Sequence, residues 1–241
     1  MFASFICLFL ACTRPPTLTP AQQQSELKRI FERHIASIGG EQALRSHTAR
    51  TMKGTMRVPG AERAHSVNFQ QRAPDHYYLW INVIGEGVFE RGHTGELAWE
   101  RTPTKTRKLS EEERQANQHV FDFHSELNYA LWVDSVQAVG AEKFGDQLCD
   151  VLDITTYLGE KERLFFNQGS GRKVGRVKAP GSEQERVIRY GQYLQRDGVF
   201  TAMSVEERIG DLRKIWIYDE LEWNKTDADF GTPSFLNVGQ Q

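Results

Sequence analysis

A chain of 241 residues, of which 39% are hydrophobic and 26% are charged, has the composition of a globular protein and is long enough to bury a sizeable core. Its formal net charge of -2 excludes the strongly basic classes, so neither a nucleic-acid partner nor a polybasic membrane contact is expected. The three cysteines leave no pair within the domain once a leader is set aside, which argues against a disulfide scaffold.

The first twelve residues are typical of a bacterial export signal. The apolar run 2–11 is shorter than the ~20 residues that a membrane-spanning helix needs, but it fits the hydrophobic region of a signal peptide. The string Phe9-Leu10-Ala11-Cys12 resembles a lipobox, in which a small residue precedes the cysteine that receives diacylglycerol. We therefore predict a signal peptide with a lipobox over residues 1–12, lipidation of Cys12, and a tether over residues 13–19. An ordinary cleaved signal or a chance apolar start is the alternative.

The segment that starts at Thr19 predicts an amphipathic helix. Thr19 stands at the N-cap position, Pro20 at the first helical position and Gln22 at the third. Apolar residues then recur at helical spacing, and charges of both signs occupy the other face. This mixed charge favours packing on a sheet over binding to a membrane surface. Gly39-Gly40 is expected to end the helix.

From residue 51 the apolar pattern changes to a period of two, which predicts strands with one solvated face over residues 51–58 and 67–72. Residues 72–100 predict a meander of three more strands, with turns at residues 85–87 and 92–95. No helix interrupts these strands, so the sheet is expected to be antiparallel.

The strand predicted over residues 76–82 is apolar on both faces. Alternation places Tyr77, Leu79 and Ile81 on one face, and Tyr78 and Trp80 on the other. The second face of such a strand needs a lid, a ligand or both to cover it.

Motifs in and around this meander resemble those of a known family. In chain order they are Ile38-Gly39-Gly40-Glu41-x-Ala43-Leu44, Ala73-Pro74-Asp75, Gly85-x-Gly87, Gly92-x-x-Gly95-x-x-Ala98-Trp99 and Leu164-Phe165-Phe166-Asn167-x-x-x-Gly171. Their order and spacing are similar to those of the outer-membrane lipoprotein-sorting family of the LolA/LolB-like carrier superfamily. The resemblance implies an α+β fold, in which a long antiparallel sheet curves into an incomplete (half) β-barrel around helices. Residues 20–241 would form a single LolA-like domain.

Residues 110–132 interrupt the strand pattern. Ser110-Glu111-Glu112-Glu113 has the form of a capping box, which predicts a helix that runs on from there, and the residues that follow are too apolar for a solvated connection. The resemblance implies that this segment covers the open side of the curved sheet. A helix packed permanently into the core would need the same apolar residues, so both interpretations stay open.

Beyond residue 135 the sequence again predicts strands. They cover residues 148–155, 163–166, 174–178, 187–194, 199–205 and 215–223. Asp197-Gly198 is a strong signal for a hairpin turn between two of them. Residues 230–235 resemble the closing element of the family.

No residue pattern indicates catalysis, a cofactor or a metal. Gly85-Glu86-Gly87 lacks the third glycine and the following helix of a dinucleotide site, and two Ser-x-x-Lys strings lack the companion motifs of serine acyl enzymes. His119 and His124 are five residues apart on a predicted helix, so they do not face one metal, and we expect solvated or capping roles for them. Cys149 is expected to be a small buried residue on a strand.

Aromatic and aliphatic residues exceed what one face of a sheet can bury, and with the resemblance they predict an apolar cavity between the sheet and its helices. The residues expected to line it are Tyr77, Leu79, Ile81, Phe89, Trp99, Phe121, Phe123, Leu127 and Trp132. An ordinary core with a few exposed rings is the alternative.

The resemblance implies non-enzymatic binding of a hydrophobic ligand, either a lipid or the acyl chains of a lipoprotein, in the bacterial cell envelope. The protein would lie on the periplasmic side, anchored to the outer membrane through Cys12. An envelope interaction or signalling module with a protein partner could use the same fold. A hydrolase is a third class, and it would depend on His119, His124 or Ser170.

Overall fold

The computed structural model describes residues 19–226 and residue 230. The predicted signal peptide, Cys12, residues 13–18 of the predicted tether and the predicted closing element beyond Phe230 lie outside these residues. No helix within the described residues is both long enough and apolar enough to cross a membrane.

The described chain forms thirteen strands and a few helices. The helices are α1 (Pro20–Ser37), α2 (Gly40–Ser46), α3 (Glu111–Ala116) and α4 (Gln118–Phe121), with a 3₁₀ turn over Tyr129–Leu131. The strands are β1 (Ala49–Arg57), β2 (His65–Arg72), β3 (His76–Val83), β4 (Gly87–Thr94), β5 (Ala98–Arg101), β6 (Thr106–Lys108), β7 (Val133–Phe144), β8 (Gln147–Thr156), β9 (Lys161–Asn167), β10 (Lys173–Lys178), β11 (Arg186–Arg196), β12 (Val199–Ile209) and β13 (Leu212–Trp223).

All thirteen strands belong to one antiparallel sheet, in the order β6-β5-β4-β3-β2-β1-β13-β12-β11-β10-β9-β8-β7. Consecutive strands are neighbours except for β6 and β7, and β1 pairs with β13 and so joins the two halves of the chain. The edges are β6 and β7, and residues 109–132, which we call the covering segment, connect them. The predicted α+β half-barrel with an open antiparallel sheet is therefore confirmed.

Helix α1 packs against the β7–β9 end of the sheet, as its apolar stripe predicts. The capping box at Thr19 is present, and Ile30 is 3% exposed in a cluster with Leu152, Leu164 and Phe166. The side chain of Gln23 accepts a hydrogen bond from the amide of Ala138 at 2.8 Å and donates to its carbonyl at 3.1 Å. The side chain of Gln23 on α1 thus forms hydrogen bonds with backbone groups of the edge strand β7.

The end of α1 depends on glycine. Gly39 has φ +127, and a Cβ there would lie 2.3 Å from the carbonyl oxygen of Gly198. The short helix α2 begins at the next residue, Gly40. The sequence interpretation did not predict this helix.

Two sequence expectations, one about the turn at Gly92 and one about the helix capped by Ser110, are wrong. Gly92 is not in a turn: it lies inside β4 opposite Trp99, and a Cβ on it would be 2.5 Å from the indole ring. The turn is at Gly95, which has φ +90. The helix capped by Ser110 is also much shorter than expected. It ends at Ala116, and the covering segment continues as α4 and a 3₁₀ turn.

Candidate ligand-binding cavity

Two adjoining cavities lie between the concave face of the sheet, α1 and the covering segment. The larger, which we call the main cavity, has a volume of about 480 Å³. The smaller, which we call the side cavity, has a volume of about 290 Å³. Both are lined in part by the same side chains: Arg50, Phe69, Ser125, Glu126, Lys173, Tyr190, Val205 and Tyr218. The main cavity is within the range of ~300–1,000 Å³ that is usual for small-molecule sites.

A larger depression, of about 570 Å³, lies on the opposite face of the sheet, where Lys53, Tyr78, Trp80 and Asp219 contribute to its walls. No helix in the described part of the chain covers it, and charged side chains line it beside the two aromatic rings. A ligand there would remain in contact with water, so the covered cavities are the better candidates for an apolar ligand.

The apolar wall of the main cavity follows from strand alternation. Phe69 on β2 pairs directly with Leu79 on β3, and Tyr77 lies on the same face two residues earlier. Burial raises the pKa of Tyr77 to about 12, so its hydroxyl stays protonated at neutral pH. At the other end of the cavity α1 contributes Phe31, and β9 contributes Leu164 and Phe166.

Hydrogen bonds hold the covering segment against the first half of the sheet. The amide of Phe123 donates to the carbonyl of Pro74 at 2.9 Å, and the side chain of Gln71 donates to the carbonyl of Val120 at 2.8 Å. Phe121, 2% exposed, stacks on the ring of His93 with centroids 4.4 Å apart. The segment is therefore fitted to the sheet rather than lying over it as a solvated loop.

The structure brings most of the sequence-predicted residues to this region. Tyr77, Leu79 and Trp132 line the main cavity, Phe123 and Leu127 line the side cavity, and Phe121 packs behind Tyr77 with ring centroids 5.4 Å apart. A role in binding remains a prediction for each of them.

Besides Phe121, three of the predicted residues line neither cavity. Ile81 and Phe89 form a cross-strand pair near the far end of β3, beyond the reach of the covering segment. Trp99 lies over Gly92 and contacts Tyr78, whose side chain points to the opposite face from that of Tyr77. The motif that drew attention to Trp99 therefore reflects packing against a glycine.

The expectation of a solvated or capping role is wrong for His119. Its side chain lines the main cavity, the residue is 8% exposed, and its Nε2 lies 3.0 Å from Nη2 of Arg176. Burial, and then the charge of Arg176, lower the pKa of His119 well below its ordinary value. The imidazole is neutral at neutral pH, so Nε2 accepts a hydrogen bond from the guanidinium. His124 is half-buried, with Nε2 3.2 Å from the carbonyl oxygen of Leu44.

The charged residues of the cavity are the feature that sequence reasoning missed. Six cations line the main cavity: Arg50, Arg91, Lys173, Arg176, Lys178 and Arg186. Their position in the strands was a usable signal. Arg50 is two residues before Met52 on the predicted buried face of β1, and Glu162 is two residues before Leu164 on β9. A charged residue two positions from a buried apolar residue of a strand lies on the same face of the sheet, and so points into the interior.

Most of these cations have carboxylate partners. Arg176, 9% exposed, donates through Nε and Nη2 to the two oxygens of Glu162, at 2.6 Å each, and Lys178 lies 3.5 Å from the same carboxylate. Lys173 pairs with Glu126, and Arg186 pairs with Glu207 at 3.3 Å. These pairs make the wall polar at defined points and compensate part of its positive charge.

Nothing in the described part of the chain forms a group of three or more histidine, cysteine or carboxylate side chains that could hold a metal ion. Cys149 is fully buried in a cluster with Phe144, Val151 and Phe165, as predicted, and burial raises the pKa of its thiol.

Solved structures share this architecture. A DUF1329 family protein from Desulfovibrio piger superposes with a TM-score of 0.60 over 86% of this chain and 97% of that chain, at 10% sequence identity. A LolA superfamily protein from Nitrosomonas europaea superposes with a TM-score of 0.58 over 88% of this chain and 98% of that chain, at 15% identity. The fold is LolA-like. An outer-membrane lipoprotein-sorting protein domain from Vibrio parahaemolyticus, with a TM-score of 0.56 over 90% and 98% of the two chains at 13% identity, has the same LolA-like fold.

The motif resemblance is thus confirmed at the level of the LolA-like fold. Sequence comparison adds nothing to it, because no family model and no curated protein matches the chain.

Proposed function

We propose that this protein binds a hydrophobic molecule without enzymatic turnover, in the manner of a lipid or lipoprotein carrier of the bacterial cell envelope. The observation that carries the proposal is the main cavity, which is enclosed between an apolar stretch of the sheet and the covering segment. The likeness to a lipoprotein-sorting domain supports the same class of function. The protein would act on the periplasmic side of the envelope, held at the outer membrane by lipidated Cys12.

The test is a change inside the cavity that the fold can tolerate. We expect Leu79→Arg to abolish uptake of a neutral fluorescent acyl probe, since a charge there opposes burial of an acyl chain. A cavity of about 480 Å³ leaves room for water around the new guanidinium, so the melting temperature should fall only modestly. Leu194→Arg is the matched control, because Leu194 is 42% exposed on β11, and this variant should bind the probe like the wild type.

Other experimental outcomes would contradict the proposal or indicate one of the two other functional classes. Global unfolding of Leu79→Arg, together with no probe binding by the wild type, would mean that the protein fills its own sheet, and the proposal would fail. Native mass spectrometry of gently purified protein should show co-purified lipid. A bound protein partner without lipid would indicate an interaction or signalling module, and a pH-dependent turnover would indicate a hydrolase.

A further inference from the structure

Two cations in the main cavity have no carboxylate partner. Of the six, four pair with Glu162, Glu126 or Glu207, but Arg50 and Arg91 form no ion pair with any described residue. Guanidinium groups stay protonated in proteins, so the wall keeps two positive charges with no described carboxylate within ion-pair distance. Such charges are costly in a covered site unless something of opposite sign binds beside them.

The hydrogen-bond partner of Arg50 is neutral, and the charge of Glu126 acts on Arg50 only from beyond ion-pair distance. Its Nε and Nη2 donate to Oε1 of Gln71 at 2.8 and 2.5 Å, and its Cζ lies 5.2 Å from the centre of the Phe69 ring. Gln71 is in turn oriented by its bond to the carbonyl of Val120. These contacts fix the direction of the guanidinium without neutralising it, and Nη1 makes no hydrogen bond within the described residues. Burial lowers the pKa of Arg50, as expected for a poorly solvated cation.

Arg91 is less satisfied still. It lies on β4 opposite Leu79, and its Nε is buried without a hydrogen-bond partner among the described residues. Four other side-chain atoms share that condition, on three histidines and a tryptophan, so Arg91 is the one permanently charged residue of this set. A buried donor on a cation calls for an acceptor that the described residues do not supply.

The two arginines act on the same part of the cavity. The strands β1 and β4 are three positions apart in the sheet, about 14 Å between backbones, and Tyr77 lies between them on β3. Both guanidinium groups are close enough to lower the pKa of Tyr77 against the larger effect of burial. The Tyr77 hydroxyl forms no hydrogen bond to a described residue, so it is a third donor at this place.

We propose that Arg50, Arg91 and Tyr77 bind the anionic headgroup of the ligand, a carboxylate or a phosphate, while its acyl chain extends towards Phe31, Leu164 and Phe166. This inference rests on the proposed function and narrows it: the ligand is an anionic amphiphile, such as a fatty acid or an acyl phosphate ester. The neutral thioether-linked diacylglycerol of a lipoprotein would leave both charges uncompensated. Charge-assisted and bidentate hydrogen bonds from arginine are the strong contacts that select such headgroups.

The test compares one acyl chain with and without its charge. Purified full-length protein is titrated with pyrene-labelled dodecanoic acid and with its methyl ester. The wild type should bind the acid at least about tenfold more tightly, because each charge-assisted bond is worth ~1.5–3 kcal/mol. Arg50→Met and Arg91→Met should each weaken binding of the acid about tenfold and leave binding of the ester within about threefold. Displacement of the probe by lysophosphatidic acid or by unlabelled fatty acid then distinguishes phosphate from carboxylate.

The controls separate charge from packing. Arg57→Met, at the exposed end of β1, should change neither affinity. Arg91→Lys should retain the preference for the acid, and removing an unpaired cation should not lower the melting temperature of the methionine variants. Equal binding of acid and ester by the wild type would overturn the headgroup site but leave the proposed function standing. Failure of the wild type to bind either probe would overturn both.

Discussion

Glu126 connects three parts of the cavity wall. It belongs to the covering segment, its Oε2 lies 3.1 Å from Nε2 of His34 on α1, and its Oε1 accepts a hydrogen bond from Nζ of Lys173 on β10. Burial opposes the charged form of Glu126, but Lys173 and the bond to His34 outweigh it and hold the pKa of the carboxyl well below its ordinary value of 4.5. The side chain keeps 39% exposure because it faces the cavities, so the contribution of the pair to stability is smaller than that of a fully buried pair.

Glu126→Gln should lower the free energy of unfolding by about 1 kcal/mol at neutral pH, or the melting temperature by about 2–4 °C. A carboxyl with a depressed native pKa stabilises the fold above its unfolded pKa, and this contribution is lost as pH falls towards the native pKa. The difference between wild type and variant should therefore be largest above pH 4.5 and shrink below it. Urea unfolding at several pH values measures this, with Glu112→Gln, an exposed change in α3, as control. A difference that stays constant with pH would show that charge pairing is not the cause.

At the scale of elements, several local signals were interpreted correctly, and features that depend on tertiary contacts were not. The cap at Ser110 and the hairpin at Asp197-Gly198 follow from residues within a few positions of each other, and both are present. The end of α4 is different, because Phe123 donates its amide to the carbonyl of Pro74, in the turn between β2 and β3, instead of to a preceding turn of helix. An apolar run cannot reveal such a bond, so a continuous helix was predicted.

Gly92 provides a test of the corrected β4. If it lies under Trp99 inside the strand, Gly92→Ala places a methyl group 2.5 Å from the buried indole and should cost ~1–3 kcal/mol of stability. Gly191→Ala is the matched control, since Gly191 also lies within a strand and its added Cβ would meet only the hydroxyl of Ser204 at 3.0 Å. Thermal unfolding with Trp fluorescence reports both. Equal, small effects of the two substitutions would contradict the close packing of Trp99.

At the scale of the whole molecule, the residues predicted an antiparallel sheet because almost all of its pairings are hairpins between consecutive strands, and the family resemblance implied that the sheet is open. The pairing of β1 with β13 could not be predicted from the residues alone, since no turn joins them and the loop between them contains the rest of the sheet. The cavity was predicted from the surplus of apolar residues together with the family resemblance, but its charges were missed. The sequence interpretation assigned no place to Arg50, Arg91 or Glu162, whereas their phase in the strands places them inside.

The last prediction concerns the attachment of this domain to the envelope. If Cys12 carries diacylglycerol, its acyl chains should hold the protein on a membrane, because two or more chains at ~0.8 kcal/mol per buried CH₂ give stable anchoring. Cys12→Ser should then move the protein to the soluble fraction in its native host, and the wild type should show the added lipid mass at its N-terminus. Cys7→Ser, within the same apolar run, is the matched control and should leave fractionation unchanged. A mature N-terminus elsewhere, with the same fractionation for all three proteins, would remove the anchor and leave a carrier that is free in the periplasm.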